Sequence, residues 1–423
     1  MQQYAQLSRR LAGRWFRGSV TFPSAFHRFQ SSKAFSSTAA RSAVTAFTEE
    51  QEALREMTRK FANETIAPLT AQMDVEGRMD PSVVESLFQQ GFMGVEIEEK
   101  FGGAGGSFTD ACLVVEEIAR VDPAVAVMVD IHNTLINRCL SFYGSEAQRE
   151  KYLPKVATEI VGSFCLSESG SGSDAFALKC RAEKVDGGWK LNGAKQWISN
   201  SKEAGVFLVF ATVDPEKRHK GITCFIVDAG APGLEIGGKY DKLGIRASST
   251  CEVILSDCFV PDENVLGKVG EGYKVAIESL NEGRIGIAAQ MVGLAKGAWE
   301  HAVRYAHERV QFGQPISEFQ AVRFQFAEMR AEIEAAQVLV YNAAALKESG
   351  RPFTMEAAIA KLQAGRVAER VASQAVEMLG GYGFVKEYPV EKFFRDSKIG
   401  SIYEGTTAMQ LETISKLIQK DFR

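Results

Sequence analysis

Residues 164–174 read Phe-Cys-Leu-Ser-Glu-Ser-Gly-Ser-Gly-Ser-Asp, and this segment separates two possible folds. Together with Ala175, its glycines match the G-x-G-x-x-A spacing that opens a dinucleotide-binding βαβ unit. Such a unit needs an amphipathic helix directly after the glycines, yet residues 182–191 contain turn glycines and strand-forming residues. We therefore predict a small-residue loop in a β domain, where the backbone can approach a ring or a phosphate closely. A plain hairpin loop is the alternative.

Strand-like runs continue after this loop. Residues 206–213, 222–227 and 250–255 are rich in Val, Ile, Phe and Thr, and turn signals separate them. We therefore predict a middle β domain over residues 161–271.

Helical periodicity dominates on both sides of this domain. The N-terminal side begins at a possible Thr48/Gln51 capping box and predicts a helical domain over residues 49–160. On the C-terminal side we predict a four-helix bundle over residues 272–423, with helices at 272–311, 318–349, 354–379 and 407–420. Helices, then strands, then helices indicate an α+β fold with segregated layers rather than alternating βαβ units.

Composition narrows the possible partners. The chain has 423 residues, 45% of them hydrophobic, which is enough for several buried cores. A net charge of −4, and no basic run mixed with aromatics beyond the first fifty residues, argue against nucleic-acid binding. The seven cysteines are scattered without a Cys-x-x-Cys pair, so neither a disulfide framework nor a metal site is expected. No apolar run approaches the ~18 residues of a membrane span.

The first 48 residues differ from the rest of the chain. They contain no Asp or Glu, and seven cations lie among many Ser and Ala residues: Arg9, Arg10, Arg14, Arg17, Arg28, Lys33 and Arg41. This composition is typical of a mitochondrial transit peptide. We therefore predict delivery to the mitochondrial matrix, with a disordered basic tail as the alternative.

Four side chains have a simple structural interpretation when read alone. Trp197 could be a core aromatic, and Arg284, which lies on an apolar helix stripe, could form an internal salt bridge. Arg309 could be a cation that complements a helix C-terminus. Glu404 lies in a break before the last helix, which a Thr407/Gln410 capping box could begin and whose apolar stripe would be Leu411, Ile414 and Ile418. A loop carboxylate there is usually only stabilised by the helix dipole.

An ordered series of motifs resembles the acyl-CoA dehydrogenase family. Residues 164–174 are similar to its signature segment, except that Ser169 stands where proline is usual. The other motifs follow in the family's order from there to the last helix: Trp197-Ile198-Ser199, Asn281-Glu282-Gly283-Arg284, Arg309-Val310-Gln311-Phe312-Gly313, Glu377-Met378-Leu379-Gly380-Gly381 and Tyr403-Glu404-Gly405-Thr406. The resemblance implies the three predicted domains, FAD as cofactor, an acyl-CoA substrate, a homotetramer, and electron-transfer flavoprotein as redox partner.

The same resemblance assigns roles to individual residues. It makes Glu404 the catalytic base that removes the α-proton of the thioester. The FAD contacts that it implies are Phe164, Cys165, Leu166, Ser167, Gly172, Ser173, Trp197, Ile198, Ser199, Arg309, Gln320, Glu377, Met378, Leu379, Gly380, Gly381, Thr406, Thr407 and Ala408. The implied substrate contacts are Ser173, His219, Tyr273, Asn281, Glu282, Gly283 and Arg284. Arg309, Gln320 and residues 377–381 would reach the FAD of a neighbouring subunit.

Finer resemblance addresses the substrate. The isovaleryl and long-chain types carry their base directly before the motif arginine, where this chain has Gly283. Residues 279–291 and 133–137 look most like the short/branched-chain type, whose substrates include 2-methylbutyryl-CoA from isoleucine breakdown. His219 is a departure, because that type is expected to have a tyrosine there. The alternatives are a straight short-chain dehydrogenase, a peroxisomal acyl-CoA oxidase, which the ends of the chain do not favour, and a non-catalytic acyl-CoA-binding relative.

Overall fold

The computed structural model describes residues 43–422, and the predicted transit peptide lies outside this range except for residues 43–48. Within those last residues, the Phe47 ring packs edge-on against Tyr341 with 4.8 Å between centroids. The predicted capping box is present, because Thr48 Oγ1 accepts from the Gln51 backbone N–H and Gln51 Oε1 accepts from that of Thr48.

Helices form the part of the chain that precedes the sheet. They are α1 (Glu49–Phe61), α2 (Thr70–Glu76), α3 (Pro81–Gln89), α4 (Phe108–Ala119), α5 (Pro123–Asp130), α6 (Arg138–Tyr143) and α7 (Glu146–Thr158). A π-helical segment, Ile131–Asn137, separates α5 from α6. Because π-turns widen the helix locally, they re-aim side chains and are frequent at functional sites.

The middle of the chain folds into one sheet. Its strands are β1 (Val161–Cys165), β2 (Arg181–Val185), β3 (Gly188–Ser199), β4 (Ala204–Thr212), β5 (Ile222–Asp228), β6 (Leu234–Lys239), β7 (Thr250–Pro261) and β8 (Val265–Leu266). They are ordered β6-β7-β3-β2-β4-β5-β8, with β1 parallel to β4. No helix separates β1 from β2 within the described chain, so the dinucleotide-binding interpretation was rightly rejected.

Long helices return after the sheet. They are α8 (Gly272–Glu308), α9 (Gln320–Glu348), α10 (Thr354–Leu379), α11 (Val390–Ser397) and α12 (Thr407–Asp421), and the short strands β9 (Val310–Gln311) and β10 (Gln314–Pro315) pair between α8 and α9. Helices α8, α9 and α10 pack on one another, and α12 lies against α10. The expected α+β architecture, with helical, β and helical-bundle domains in that order, is therefore confirmed.

The last helix begins at residue 407 as predicted, but its predicted capping residue was wrong by one position. Thr406, not Thr407, is the N-cap, and its Oγ1 accepts from the Met409 N–H at 3.3 Å. The predicted apolar stripe is also poorly covered, since Leu411 and Ile418 are each 46% exposed.

Buried polar side chains join the sheet to the first helical domain. His132, in the π-helical segment, donates from Nε2 to the Val156 carbonyl at 2.7 Å, and its Nδ1 accepts from the Gly162 N–H at 3.1 Å. Asn200, just after β3, donates to the carbonyls of Met128 and Gly162. These bonds hold the ends of β1 and β3 against α5.

No helix in residues 43–422 is both long and apolar enough to cross a membrane.

Candidate active site

Glu404 lies on the loop between α11 and α12. Its backbone φ is +51°, and that of the following Gly405 is +90°, so both residues are left-handed. The residue as a whole is half-buried, but its Oε2 atom is enclosed and has no hydrogen-bond partner among residues 43–422. Buried carboxyl oxygens normally have a partner, so this atom is available to a ligand.

Two side chains from neighbouring helices hold this loop by its carbonyl groups. Lys361 of α10 donates from Nζ to the Gly405 carbonyl at 2.7 Å. Gln410 of α12 donates from Nε2 to the carbonyls of Glu404 and Gly405, at 3.1 and 2.9 Å. The loop conformation is therefore fixed by tertiary contacts rather than by local sequence alone.

Helix α8 approaches Glu404 through a glycine. A Cβ atom built on Gly283 would lie 2.9 Å from Oε2 of Glu404 and 3.1 Å from Cδ2 of Leu135. The structure thus brings Gly283 and Glu404 together. The missing side chain leaves the space in which the carboxyl group is seated.

Burial and two nearby cations set the proton affinity of Glu404 in opposite directions. Burial raises the pKa of its carboxyl group to about 7, while Arg284 and Lys361 oppose that rise. Burial likewise lowers the pKa of Lys361 to about 8, although the Glu404 carboxylate favours its charged form. A carboxyl group whose pKa lies near neutral pH is well suited to accept a proton during catalysis.

Arg284 is buried beside Asn281. Its Nη1 donates to the Asn281 Oδ1 at 3.1 Å, while its Nε is enclosed without a partner among the described residues. The internal salt bridge considered from sequence is not formed within residues 43–422. Its buried donor is therefore available to an anionic or carbonyl group of a ligand.

Trp197 is not a core residue. It lies where the β3–β7 register shifts between Lys195 and Ile198, has φ +64°, and is 56% exposed. Its ring stacks at a tilt on Tyr240, 4.4 Å between centroids. Bulges of this kind often re-aim a side chain next to an active site.

The glycine-serine loop after β1 is open on one side and braced on the other. A Cβ atom at Gly170 or Gly172 would meet nothing within 4 Å. Behind it, the buried Glu168 carboxylate accepts from the Lys179 and Cys180 N–H groups and from Lys195 Nζ. The neighbouring predicted FAD contacts differ in accessibility: Cys165, Leu166 and Ile198 are buried, Phe164, Ser167 and Ser199 are half-buried, and Ser173 is exposed.

Residues assigned to the substrate fall into two groups. His219 and Tyr273, far apart in sequence, stack with 5.1 Å between centroids, and Phe176 adds a third ring 4.2 Å from Tyr273. Glu282 is tied elsewhere, because its carboxylate pairs with Arg138 at 2.7 Å and with Lys347 at 3.4 Å. Its side chain is therefore held by the first helical domain and α9.

A separate cavity of about 510 Å³ lies between the end of α8, the β10–α9 connection and the end of α10. Arg309 lies there beside residues 377–381, with its guanidinium 5.4 Å from the Tyr382 ring centre. Gly380 and Gly381 would each accept a Cβ without contact. Gln320 is exposed at the start of α9, and Thr407 and Ala408 lie in the first turn of α12 after Thr406.

Family models match successive parts of the chain. The N-terminal, middle and C-terminal domains of acyl-CoA dehydrogenase match residues 48–159, 163–258 and 270–419. The chain belongs to the acyl-CoA dehydrogenase family.

Similar proteins agree with this membership. A "Probable short/branched chain specific acyl-CoA dehydrogenase" of Dictyostelium discoideum is 55% identical, covering 90% of this chain and 92% of that protein. A mitochondrial "Short/branched chain specific acyl-CoA dehydrogenase" of Rattus norvegicus is 52% identical, covering 89% and 87%. The solved structure of butyryl-CoA dehydrogenase from Megasphaera elsdenii has a TM-score of 0.87 at 41% identity, covering 88% of this chain and 99% of that one.

This acyl-CoA dehydrogenase uses FAD as cofactor, and its residues fit that group on two observations. Trp197 presents an exposed aromatic face at a bulge, which a flat ring system can cover. The open glycines at 170, 172, 380 and 381 allow close approach of backbone N–H groups, and Arg309 adds a guanidinium suited to a diphosphate.

Sequence reasoning missed the residues that support the base. Lys361 and Gln410 carry no motif of their own, and Gln410 was assigned to a helix cap instead. A lysine and a glutamine that fall on buried helix positions are the signal that could have found them, since burying either group requires a partner.

Proposed function

We propose that this acyl-CoA dehydrogenase removes the α-proton of short and branched acyl-CoA thioesters with Glu404. The observation that carries the proposal is the enclosed Oε2 of Glu404, which lies against Gly283 without a hydrogen-bond partner among the described residues. A catalytic proton acceptor must be basic, and its accepting oxygen must be free of other hydrogen bonds so that the substrate proton can reach it. The loop that carries it is held by Lys361 and Gln410.

The residues of this chain prepare the proton transfer. FAD, when bound, supplies the oxidant for the hydrogen that leaves the β-carbon. Glu404 takes the α-proton on a carboxylate oxygen, and excluding water from that oxygen makes it a stronger base than a glutamate in solution. The Glu404 backbone N–H is proposed to donate to the thioester oxygen, where negative charge develops as the proton leaves.

Other residues would orient the substrate. The buried Arg284 and its partner Asn281 offer polar groups on α8, next to Gly283, which faces the base. The ring cluster of His219, Tyr273 and Phe176 lies at the start of α8 and suits the CoA portion. Ser173 is proposed to contribute from the open glycine-serine loop.

The preference for short and branched chains rests on similarity and on one residue. The relatives at 55% and 52% identity bear that specificity in their names, while the butyryl-CoA enzyme at 41% is the basis of a straight-chain alternative. Gly283 places no side chain of its own against the Glu404 carboxyl group, so α8 does not add a group that would compete with the acyl carbons there. We propose 2-methylbutyryl-CoA as a substrate, which would serve isoleucine breakdown.

We further propose that the enzyme is a homotetramer of the mitochondrial matrix that passes electrons to electron-transfer flavoprotein. Phe312 and Phe384 are 94% and 85% exposed. Phe312 lies in the motif of Arg309, and Phe384 follows residues 377–381 by three positions, so both are next to groups expected to reach a neighbouring subunit's FAD. Mitochondrial relatives and the acid-free first 48 residues support the location. A chain with 40% identity and a TM-score of 0.88 belongs to a structure of the electron transferring flavoprotein of Acidaminococcus fermentans.

Anaerobic bleaching of the bound flavin tests the base and the substrate together. Wild type should be bleached faster by 2-methylbutyryl-CoA and isobutyryl-CoA than by isovaleryl-CoA, with butyryl-CoA reporting on the straight-chain alternative. Glu404→Gln should keep its FAD and bind the thioester, while bleaching slows by roughly 10³-fold or more because the proton acceptor is lost.

The matched control is Glu412→Gln, an exposed carboxylate on α12 that should bleach at the wild-type rate. Rapid bleaching of Glu404→Gln would refute the assigned base. Failure of every acyl-CoA to bleach the wild-type flavin would instead favour the non-catalytic relative.

A further inference from the structure

Asp130 is a buried carboxyl group that the proposed reaction does not use. It ends α5 and is 1% exposed. Thr134 Oγ1 donates to its backbone carbonyl at 2.9 Å and to its Oδ1 at 3.3 Å. Its Oδ2 is enclosed and, like Oε2 of Glu404, has no hydrogen-bond partner among residues 43–422.

The same face of α8 meets both carboxyl groups. A Cβ atom on Gly286 would lie only 1.8 Å from Oδ1 of Asp130, just as one on Gly283 would lie 2.9 Å from Oε2 of Glu404. Residues three apart on a helix have Cβ atoms about 5–6 Å apart, so these two carboxyl oxygens are at most roughly 10 Å apart. Both sit in spaces that a glycine leaves open.

The charges around the two groups differ. Glu404 faces the cations Arg284 and Lys361, whereas the charged group that acts on Asp130 is the Glu404 carboxylate itself. Tyr403 and Cys112 also lie near Asp130, and burial raises the pKa of both well above its ordinary value, so they remain neutral. Burial and the Glu404 charge raise the pKa of Asp130 well above its usual range. Within the described chain only Glu404 has cations beside it, so ionisation is favoured at Glu404 over Asp130.

We propose that Asp130 is a positioning residue that keeps its proton and donates it in a hydrogen bond, through one water molecule, to the Glu404 carboxylate. Two enclosed oxygens of carboxyl groups that both meet α8, Asp130 Oδ2 and Glu404 Oε2, supply the polar partners that a buried water needs. The bond would favour the ionised form of the base before substrate arrives and would fix the orientation of its carboxyl group. This inference rests on the proposed role of Glu404.

The pH dependence of flavin reduction in the holoenzyme tests it. Asp130→Leu removes the donor, so the ascending limb of kcat/KM should move to higher pH by about one unit, since a lost hydrogen bond to a carboxylate raises its pKa. Asp130→Asn keeps a neutral N–H donor, and its limb should stay at the wild-type pH. An unchanged limb in Asp130→Leu, or a limb shifted to lower pH in Asp130→Asn, would overturn the proposal.

Infrared spectroscopy gives a readout that does not depend on activity or on the leucine variant folding. Wild type at neutral pH should show the carbonyl stretch of a protonated carboxylic acid that Asp130→Asn lacks. If the two spectra match in that region, Asp130 is ionised and the proposal fails. Glu404→Gln separates the two ideas: full activity there defeats the base itself, whereas an inactive Glu404→Gln with an unchanged Asp130→Leu profile defeats only the role of Asp130.

Discussion

Glu404 and Trp197 both have left-handed backbones, at φ +51° and +64°. A non-glycine residue in this region costs of order 1 kcal/mol or more, so the surrounding structure must compensate. At Glu404 the compensation comes from Lys361 and Gln410, which bind the loop carbonyls. Such outliers often occur at functional sites. Of the seven non-glycine residues with a positive φ among residues 43–422, two are the proposed base and the proposed flavin contact.

The buried Glu404 charge should make stability depend on pH. The pKa of its carboxyl group is 4.5 in an ordinary environment and about 7 in the folded protein. The folded state therefore binds more protons between these values, and the stability that this group contributes is fully present below 4.5 and is lost as pH rises through about 7. Glu404→Gln, which cannot ionise, should escape this loss.

We expect Glu404→Gln to have a higher Tm than wild type at about pH 8.5, and this advantage should vanish near pH 5. Thermal unfolding of the holoenzyme at both pH values measures it, with Glu412→Gln as the control. An equal Tm difference at the two pH values would contradict the assigned pKa.

At the scale of elements, the glycines of α8 are contact positions. A Cβ atom on Gly293 would lie 2.1 Å from the Glu116 carbonyl, and one on Gly297 would lie 2.2 Å from that of Arg120. Helices α4 and α8 therefore pack backbone to backbone at these positions. Each glycine weakens an isolated helix by roughly 1 kcal/mol relative to alanine, and close packing offsets that loss.

Gly293→Ala should consequently destabilise the protein, by about 1–3 kcal/mol, because overpacking outweighs the gain in helix propensity. Thermal or urea unfolding gives the sign. The comparison variant is Ala327→Gly on the exposed face of α9, which should lose about 1 kcal/mol through propensity alone. A stabilised Gly293→Ala would mean that α4 can move away from α8 freely.

At the scale of the whole molecule, buried ion pairs join the first helical domain to the bundle. Glu117 of α4 accepts a two-pronged contact from Arg59 of α1, at 2.7 and 2.9 Å. Arg120 lies 3.4 Å from Glu117 and binds Glu300 of α8 at 2.5 Å. Glu117 is 1% exposed, so its charge depends on these partners.

Glu117→Gln should therefore lower the free energy of unfolding by about 1–3 kcal/mol, because it removes the anionic partner of the partly exposed Arg59 while Arg120 keeps Glu300. Calorimetry of the holoenzyme measures the loss. Glu369→Gln, which breaks the exposed pair with Lys398, should change stability by no more than about 1 kcal/mol. Similar losses in both variants would show that the Glu117 network does not couple the domains.

The sequence alone determined the order of the helical and β domains, and it identified Glu404 as the proposed proton acceptor. Hydrophobic periodicity located α10 at residues 354–379 without error and identified β4, β5 and β7, because these signals are local and repeat along the chain. The motif set indicated the family, and Gly283 directed attention to Glu404. Local capping chemistry was right at Thr48 and one residue late at Thr407.

Only the tertiary structure decided what surrounds the base. Asp130 and Gly286 are far apart in sequence, and their contact exists because α5 and α8 cross at that point. The partners of Glu282 and the exposure of Trp197 likewise follow from how separate elements pack and where β3 bulges. Periodicity records which face of an element is buried, but the atom that it meets there is fixed by the packing of the whole chain.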